Sequence, residues 1–172
     1  AIATLKGLEA SGSPSSQIFS GLLLADLYSQ EHDPANAEKA LETVIQRRPD
    51  TLEAYLALAR LHDKDQAAQI RIYQRGLKAL PAQPQLSLLL GAALEASGQF
   101  DQAVAVYENA VKANPGFIAG INNLAAALLD HRTDKASIQR AVGLTKSLEA
   151  ATDPASSNRA AAARRASFDF TP

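Results

Sequence analysis

Apolar and small residues recur along this chain with a long, regular period. A leucine followed by Ala or Gly occurs four times, at spacings of 34, 32 and 34 residues, with the leucines at Leu24, Leu58, Leu90 and Leu124. Another large side chain follows each leucine by four positions, which places the two on one face of an α-helix. A self-similar period of this length is typical of arrays of stacked helix hairpins. The pattern therefore predicts an all-α fold assembled from repeated hairpins.

The third copy of the pattern is the most complete. Its marked positions, in order along the chain, are Ser87, Leu90, Gly91, Leu94, Gly98, Phe100, Ala103, Tyr107, Ala110 and Pro115. Leu90 and Leu94 share one face of a first helix. Gly98 is suited to closing that helix, because glycine adopts the left-handed conformation without steric cost. Pro115 cannot continue a helix, so the second helix is predicted to end before it.

This order of residues resembles the tetratricopeptide repeat family. In that family a large residue, Leu-Gly and an aromatic mark the first helix, and Ala-x-x-x-aromatic and a proline mark the second. Only the leading Trp and the first-helix Tyr are replaced here, by Ser87 and Leu94. The other three copies follow the pattern with more substitutions. The resemblance implies a right-handed α-solenoid of stacked antiparallel helix hairpins, the tetratricopeptide repeat superhelix.

In this register the chain consists of four repeats with a shorter segment at either end. The predicted repeats are residues 18–51, 52–83, 84–117 and 118–154. Repeat two is two residues short, and repeat four diverges, with an inter-helix loop at 130–137 that is about four residues longer than in repeat three. Residues 1–17 are predicted to be the second helix of a truncated preceding repeat, with Pro14 at its end. Residues 155–172 match no repeat, and either a capping helix or a partly ordered tail is expected there.

The resemblance also implies where a partner would bind. In the family, first helices line a concave groove, and the residues around the signature leucine face it. The positions implied here are Phe19, Leu22, Asp26, Glu53, Leu56, Arg60, Gln85, Leu88, Ala92, Glu95, Asn122 and Ala126. Leu22, Leu56 and Leu88 would form an apolar stripe in the groove. Asp26 and Arg60 flank the stripe and would orient a partner, since charged groups select register more than they add affinity. The alternative is that neighbouring helices cover these leucines inside the superhelix.

The expected occupant of such a groove is a protein or peptide segment, either an amphipathic helix or an extended apolar stretch. Some members of the family instead bind the C-terminal carboxylate of a chaperone through Lys, Asn and Arg side chains on first helices. That mode of recognition needs at least two cationic groups. Only Arg60 and Asn122 are of the right type at the corresponding positions, and they lie on non-adjacent repeats. Chaperone-tail binding is therefore not predicted.

Composition argues against several other functions. With 17 Lys and Arg against 18 Asp and Glu, the net charge is −1, so the basic field typical of nucleic-acid binding is missing and no nucleic-acid partner is predicted. No apolar run reaches the roughly 20 residues of a membrane span. There is no Cys, and the three histidines never occur in metal-ligand spacing, so no metal or cofactor is expected. The sequence contains no phosphate-binding loop and no nucleophile elbow, which predicts a protein that is not an enzyme.

Two alternatives remain open at this stage. The segment at 164–168 has the form of a kinase substrate, in which Ser167 would be phosphorylated beside two arginines, or it is a tail without such a role.

The whole chain is expected to be a binding scaffold, or else a structural spacer or self-associating segment of a longer repeat protein, in contact through its truncated ends. The Ala-rich, Cys-free composition has a bacterial character, and both the cytoplasm and the envelope or periplasm agree with it.

Overall fold

A computed structural model describes residues 1–81, 83–132 and 134–152, and for residues 147–152 it describes the backbone alone. Within these residues the chain forms nine α-helices and no β-strand. The helices fall into two compact bodies that divide between Gln99 and Phe100. The all-α architecture of helix hairpins predicted from the repeats is confirmed.

The N-terminal body contains six helices, which are α1 (Ile2–Ser11), α2 (Pro14–Gln30), α3 (Pro34–Arg47), α4 (Leu52–Leu61), α5 (Gln66–Ala79) and α6 (Pro84–Ala96). The C-terminal body contains α7 (Phe100–Ala113), α8 (Ile118–His131) and α9 (Lys135–Thr152). Inside each body every helix packs against the next one along the chain, because the short connections between them permit only a reversal of direction. In addition α2 contacts α4, which brings two first helices side by side.

Local chemistry explains where many of these helices begin. Proline is tolerated in the first helical turn, where its missing N–H costs nothing, and it opens α2, α3 and α6. The carboxylate of Asp33 accepts a hydrogen bond from the backbone N–H of Asn36 at 3.1 Å. Asp65 caps α5 in the same way by accepting from Ala68 N at 2.9 Å. Each cap satisfies an N–H group that has no partner within the helix.

The turns after α2 and α6 share one geometry. Gly98 has a φ of 74°, and the N–H of Gln99 donates to Leu94 O at 2.8 Å. After α2 the equivalent positive φ, 58°, belongs to His32, and Asp33 N donates to Tyr28 O at 2.8 Å. This pattern of a left-handed residue followed by a backward hydrogen bond ends a helix sharply. The turn predicted at Gly98 is confirmed.

The leucines that carry the repeat form the centre of each body. Leu24, Leu58, Leu90 and Leu124 expose 1%, 2%, 3% and 1% of their surface. Tyr55, at the start of the pattern in repeat two, is also buried, and its hydroxyl donates to Pro49 O at 2.9 Å. A Cβ atom at Gly76 of α5 would lie 2.9 Å from Leu86 Cδ1 of α6 and 3.2 Å from the Tyr55 ring, so glycine suits the close packing of α5 against both α4 and α6.

Two expectations about connections need correction. The long inter-helix loop expected in repeat four is wrong, since α8 ends at His131 and α9 begins at Lys135. Three residues separate α8 from α9, the same number as between α6 and α7, so the turn of repeat four contains no inserted residues. Pro14 does not end α1 but stands at the first residue of α2, so that helix begins four positions before the boundary set at residue 18. The segment at 155–172, with Ser167, lies outside the described residues.

Candidate functional site

Two open clefts lie beside α4 in the N-terminal body. The first, cleft 1, has a volume of about 440 Å³ and separates α2 from α4. It is lined by Leu22, Ala25, Asp26, Ser29, Gln30, Leu41, Glu53, Ala57, Arg60 and Leu61. The residues from α2 follow the i, i+3, i+4, i+7 spacing of a single helix face, as do those from α4. Cleft 1 is therefore a surface between two first helices, with Leu41 of α3 beneath it.

The second, cleft 2, has a volume of about 530 Å³ and lies between α4 and α6. Its lining consists of Glu53, Leu56, Ala57, Arg60, Asp63, Gln69, Tyr73, Gln85 and Leu89. Glu53, Ala57 and Arg60 line both clefts, so α4 forms the ridge between them. Clefts 1 and 2 together are called the first-helix groove below.

The two clefts are built from equivalent positions of successive repeats. Leu22, Asp26 and Ser29 line cleft 1, and the residues 34 positions later, Leu56, Arg60 and Asp63, line cleft 2. The opposite wall repeats as well, with Glu53 and Ala57 in cleft 1 and Gln85 and Leu89 in cleft 2. The backbone thus offers the same cleft twice, and the side chains make the two clefts chemically different.

Apolar side chains in the groove are only partly covered. Leu22, Leu56 and Leu89 are half-buried, in contrast to the fully buried leucines of the repeat signature. At the base of cleft 2, Tyr73 is buried to an extent that raises the pKa of its phenol. Gln69 donates to the backbone oxygen of Ala59 at 3.3 Å, which fixes its side chain against α4. The groove therefore presents a partly apolar floor on a rigid support.

The charged groups of the groove are mostly left without ionic partners. Asp26 accepts a hydrogen bond from Gln30 at 2.7 Å, a neutral neighbour one turn along α2. Among the described residues, Glu53, Arg60 and Asp63 form no ion pair. Each cleft contains two carboxylates and one guanidinium.

Half of the groove positions implied by the sequence line these clefts, namely Leu22, Asp26, Glu53, Leu56, Arg60 and Gln85. Phe19 lies one turn before Leu22 on α2 and exposes 66% of its surface, outside either lining. Leu88 is half-buried and lines neither cleft. The remaining positions lie on exposed or half-buried faces of α6 and α8, and they are Ala92, Glu95, Asn122 and Ala126. A binding role for any of the twelve stays a prediction.

Sequence reasoning missed several lining residues. Ala57 and Leu61 follow Glu53 at steps of four on α4, so the helical period alone would have identified them. Leu41 and Tyr73 belong to second helices and occupy the large-residue position of the repeat pattern. That position signals packing, and nothing in the sequence indicates that its side chain also reaches an open cleft.

The opposite side of the N-terminal body has a cleft of a different kind. This second-helix cleft, of about 320 Å³, is lined by Glu38, Glu42, Leu58, His62, Ala68, Arg71, Ile72 and Arg75. Arg75 binds Glu42 through two hydrogen bonds of 2.7 and 2.5 Å, and this bond raises the pKa of the guanidinium further. His62 Nε2 lies 3.6 Å from Glu38 Oε1.

The C-terminal body repeats this arrangement of paired charges. A cleft of about 210 Å³ is lined by Val104, Glu108, Leu128, Arg132, Ala136, Ser137 and Arg140. Arg140 binds Glu108, and Arg132 binds Asp101 at 2.7 Å. His131 stacks on Phe100 with ring centroids 3.6 Å apart. Second helices in both bodies are thus joined by ion pairs between successive repeats.

Within the described part of the chain, no three His, Asp or Glu side chains converge as metal ligands would. The helices that the structure describes are too short or too polar to cross a bilayer. The three histidines lie in separate places, with His32 in a turn, His62 at the end of α4 and His131 at the end of α8.

Solved structures with the same arrangement of helices are known. One is a crystal structure of MamA, which is 23% identical with a TM-score of 0.59, the match covering 84% of this chain and 82% of that one. MamA from Desulfovibrio magneticus is 21% identical, with a TM-score of 0.52 and coverage of 85% and 84%. A mutant O-GlcNAc transferase of Thermobaculum terrenum is 23% identical with a TM-score of 0.52, but the match covers 74% of this chain and 25% of the enzyme. These similarities establish the fold.

Family membership follows from the sequence itself. No curated protein matches the chain. Two family models, both described as tetratricopeptide repeat, match residues 22–84 and 84–127. Together they run from the middle of α2 through most of α8 and include every residue that lines the first-helix groove. Repeats of this kind stack into arrays whose extended surfaces bind other proteins. The chain belongs to the tetratricopeptide repeat family.

Proposed function

We propose that this protein is a non-enzymatic interaction scaffold that binds an apolar or amphipathic segment of a partner protein in the first-helix groove. The observation that carries the proposal is the repetition of one cleft on successive repeats, with half-buried leucines at equivalent positions. A repeated, open and partly apolar surface fits a long ligand better than a small molecule. Clefts of roughly 300 to 1,000 Å³ are otherwise the size of small-ligand sites, but those are more enclosed.

Burial energetics support a role for the exposed leucine surface. Covering a leucine side chain completely contributes about 1.5–3 kcal/mol, so the half-exposed Leu22 and Leu56 leave part of that free energy available to a ligand. The backbone groups of the lining helices are already satisfied within the helices. A partner would therefore be held by side-chain contacts, as when an amphipathic helix lies in an apolar groove.

A catalytic role is not proposed. The similarity to the transferase covers 25% of that enzyme's chain at 23% identity, so it supports the fold alone.

The test begins with a peptide selected from a displayed random library against the full chain. Its affinity is then measured by fluorescence anisotropy for the wild type, for Leu22→Glu and for Leu56→Glu. We expect each substitution to weaken binding about tenfold or more, because a carboxylate is placed where an apolar contact would form.

The matched control is Leu23→Glu, which makes the same change at an exposed leucine of α2 that lines neither cleft. We expect it to leave the affinity within about twofold of the wild type. Circular dichroism establishes that all three variants keep their helicity. Equal affinities of the wild type and both groove variants would refute the proposal.

A second candidate function is that of a structural spacer or self-associating segment. The observation favouring it is an exposed apolar face on α9, where Ile138 and Val142 stand one turn apart and expose 41% and 44% of their surface. Leu8 of α1 is similarly exposed, at 44%. Sedimentation equilibrium distinguishes the candidates. A mass that rises with concentration, and falls again in an Ile138→Ser, Val142→Ser variant, would favour self-association, whereas a constant monomer mass would exclude it.

A further inference from the structure

The first-helix groove concentrates negative charge that the rest of the chain does not share. Its two clefts contain the carboxylates of Asp26, Glu53 and Asp63 and a single cation, Arg60, which gives a net charge of −2. The whole chain carries −1, so the residues outside the groove sum to a positive value. The surplus acid is therefore localised on this surface.

These carboxylates also lack cations of their own. Where acids occur on the second-helix side, Glu42 is bound by Arg75 and Glu38 lies beside His62. In the groove, Glu53 and Asp63 form no ion pair with any described residue. Two acids facing a shared cleft repel each other, and a bound cationic group would relieve that repulsion.

From this charge pattern we infer that the groove selects a cationic amphipathic segment of a partner protein, one that combines apolar side chains with several Lys or Arg residues. The inference rests on the proposed function and specifies the ligand of the same site. Apolar side chains of the segment would contact Leu22, Leu56 and Leu89, and its cations would meet the carboxylates along both clefts. Charge complementarity of this kind sets the choice of partner and the rate of association.

The test uses three labelled peptides with the same leucine face, in which the polar face is lysine, glutamine or glutamate. Fluorescence anisotropy with the full chain measures their affinities. We expect the lysine peptide to bind more tightly than the glutamine peptide, and the glutamate peptide to bind least. Raising NaCl to about 0.5 M should reduce the advantage of lysine, because exposed charges are screened at that ionic strength.

Variants of the groove charges provide a second test, because removing an acid and removing the cation should change the affinity in opposite directions. We expect Glu53→Gln to weaken binding of the lysine peptide about two- to fivefold and Arg60→Gln to tighten it by a similar factor, the range for exposed ionic interactions. A variant that merely disturbed the fold would weaken binding in both cases. The matched controls, Glu38→Gln and Arg71→Gln in the second-helix cleft, make the same changes of charge and should leave the affinity unchanged.

The outcomes separate this inference from the proposed function. If the glutamine peptide binds as tightly as the lysine peptide and Leu56→Glu abolishes both, the groove binds apolar segments and the cationic preference is wrong. If the control variants change the affinity as much as the groove variants, binding depends on general charge and the inference is overturned. If no peptide of the series binds, the inference and the apolar groove both fail.

Discussion

The two sides of the N-terminal body differ in how their carboxylates are partnered. In the second-helix cleft, Glu42 receives two hydrogen bonds from Arg75, and Glu38 lies beside His62. In the first-helix groove, by contrast, Glu53 and Asp63 have no ionic partner among the described residues. Both surfaces are made of the same repeats, so the architecture does not impose the difference. The difference comes from the side chains that occupy each position.

Ion pairs on the second-helix side join neighbouring repeats, whereas the carboxylates of the groove have no such role within the described residues. Arg75 and Glu42 are 33 residues apart, and Arg140 and Glu108 are 32 apart, so each pair joins second helices of successive repeats. Such pairs hold neighbouring hairpins together. The half-buried leucines of the groove contribute less to the fold than the buried ones, and its unpaired carboxylates join no helices, so this surface has the composition of a binding site.

The strongest way to sharpen the comparison is a matched pair of leucines on α4. Leu58 is 2% exposed and borders the second-helix cleft, whereas Leu56 is half-buried and lines cleft 2. We expect Leu58→Ala to lower the free energy of unfolding by about 2–5 kcal/mol, because it leaves a cavity. Leu56→Ala should cost less, about 1–2 kcal/mol, since part of its side chain is already in water. Guanidinium denaturation measures both, and equal losses would make Leu56 an ordinary core residue.

A smaller effect is expected from a matched pair of arginines. Arg75→Ala removes the ion pair with Glu42, whose side chains expose 43% and 32% of their surface. We expect a loss of about 0.5 kcal/mol in the free energy of unfolding, because solvent weakens a pair this exposed. Arg60→Ala, which removes an unpaired arginine from the groove, should change stability by less. Urea denaturation of both variants measures the two losses in the free energy of unfolding. A larger loss for Arg60→Ala than for Arg75→Ala would mean that Arg60 stabilises the fold.

The smallest effect concerns pH and the cap of α3. Hydrogen bonds from the side chain and backbone of Asn36 lower the pKa of Asp33. A lowered pKa in the folded state adds stability that is fully present above the unfolded pKa and is lost as pH falls through the folded value. Asp33→Asn keeps a capping oxygen but cannot titrate. We therefore expect stability to fall less steeply below about pH 4 in the variant than in the wild type, as measured by thermal melts. If the stability of the wild type and of Asp33→Asn fell with pH along parallel curves, the proposed contribution of the Asp33 cap would be wrong.

Much of the fold could be predicted because the repeat signature reports packing directly. Leu24, Leu58, Leu90 and Leu124 recur because each fills the interior of a hairpin, and all four are buried. Gly98 could be assigned to a turn because glycine adopts a positive φ without steric cost, and its φ is 74°. The loop of repeat four was mispredicted because Ala141 was aligned with Ala103. In the structure the buried Ala141 lies 34 residues after the buried Tyr107, which leaves no inserted residues between α8 and α9.

The site could be predicted only in part. Leu22, Asp26 and Arg60 were implied by their places around the signature leucine, and the helical period extends that list to Ala57. The contribution of Tyr73 depends on how far α5 tilts beneath α4 and α6, which is a tertiary property without a local signal. Whether a charged side chain forms an ion pair likewise depends on the residue that lies opposite it on the neighbouring repeat. Glu42 and Glu53 look alike in the sequence and differ only in what lies opposite them.

The most direct test of the central claim is to locate a bound peptide on the two sides of the body. Nuclear magnetic resonance spectra of the isotope-labelled full chain would be recorded while the selected peptide is added. We expect the largest shift changes at Glu53, Ala57 and Arg60, the ridge shared by both clefts, and none at Arg71 and Arg75. Changes centred on Arg71 and Arg75, with the ridge unperturbed, would contradict the central claim.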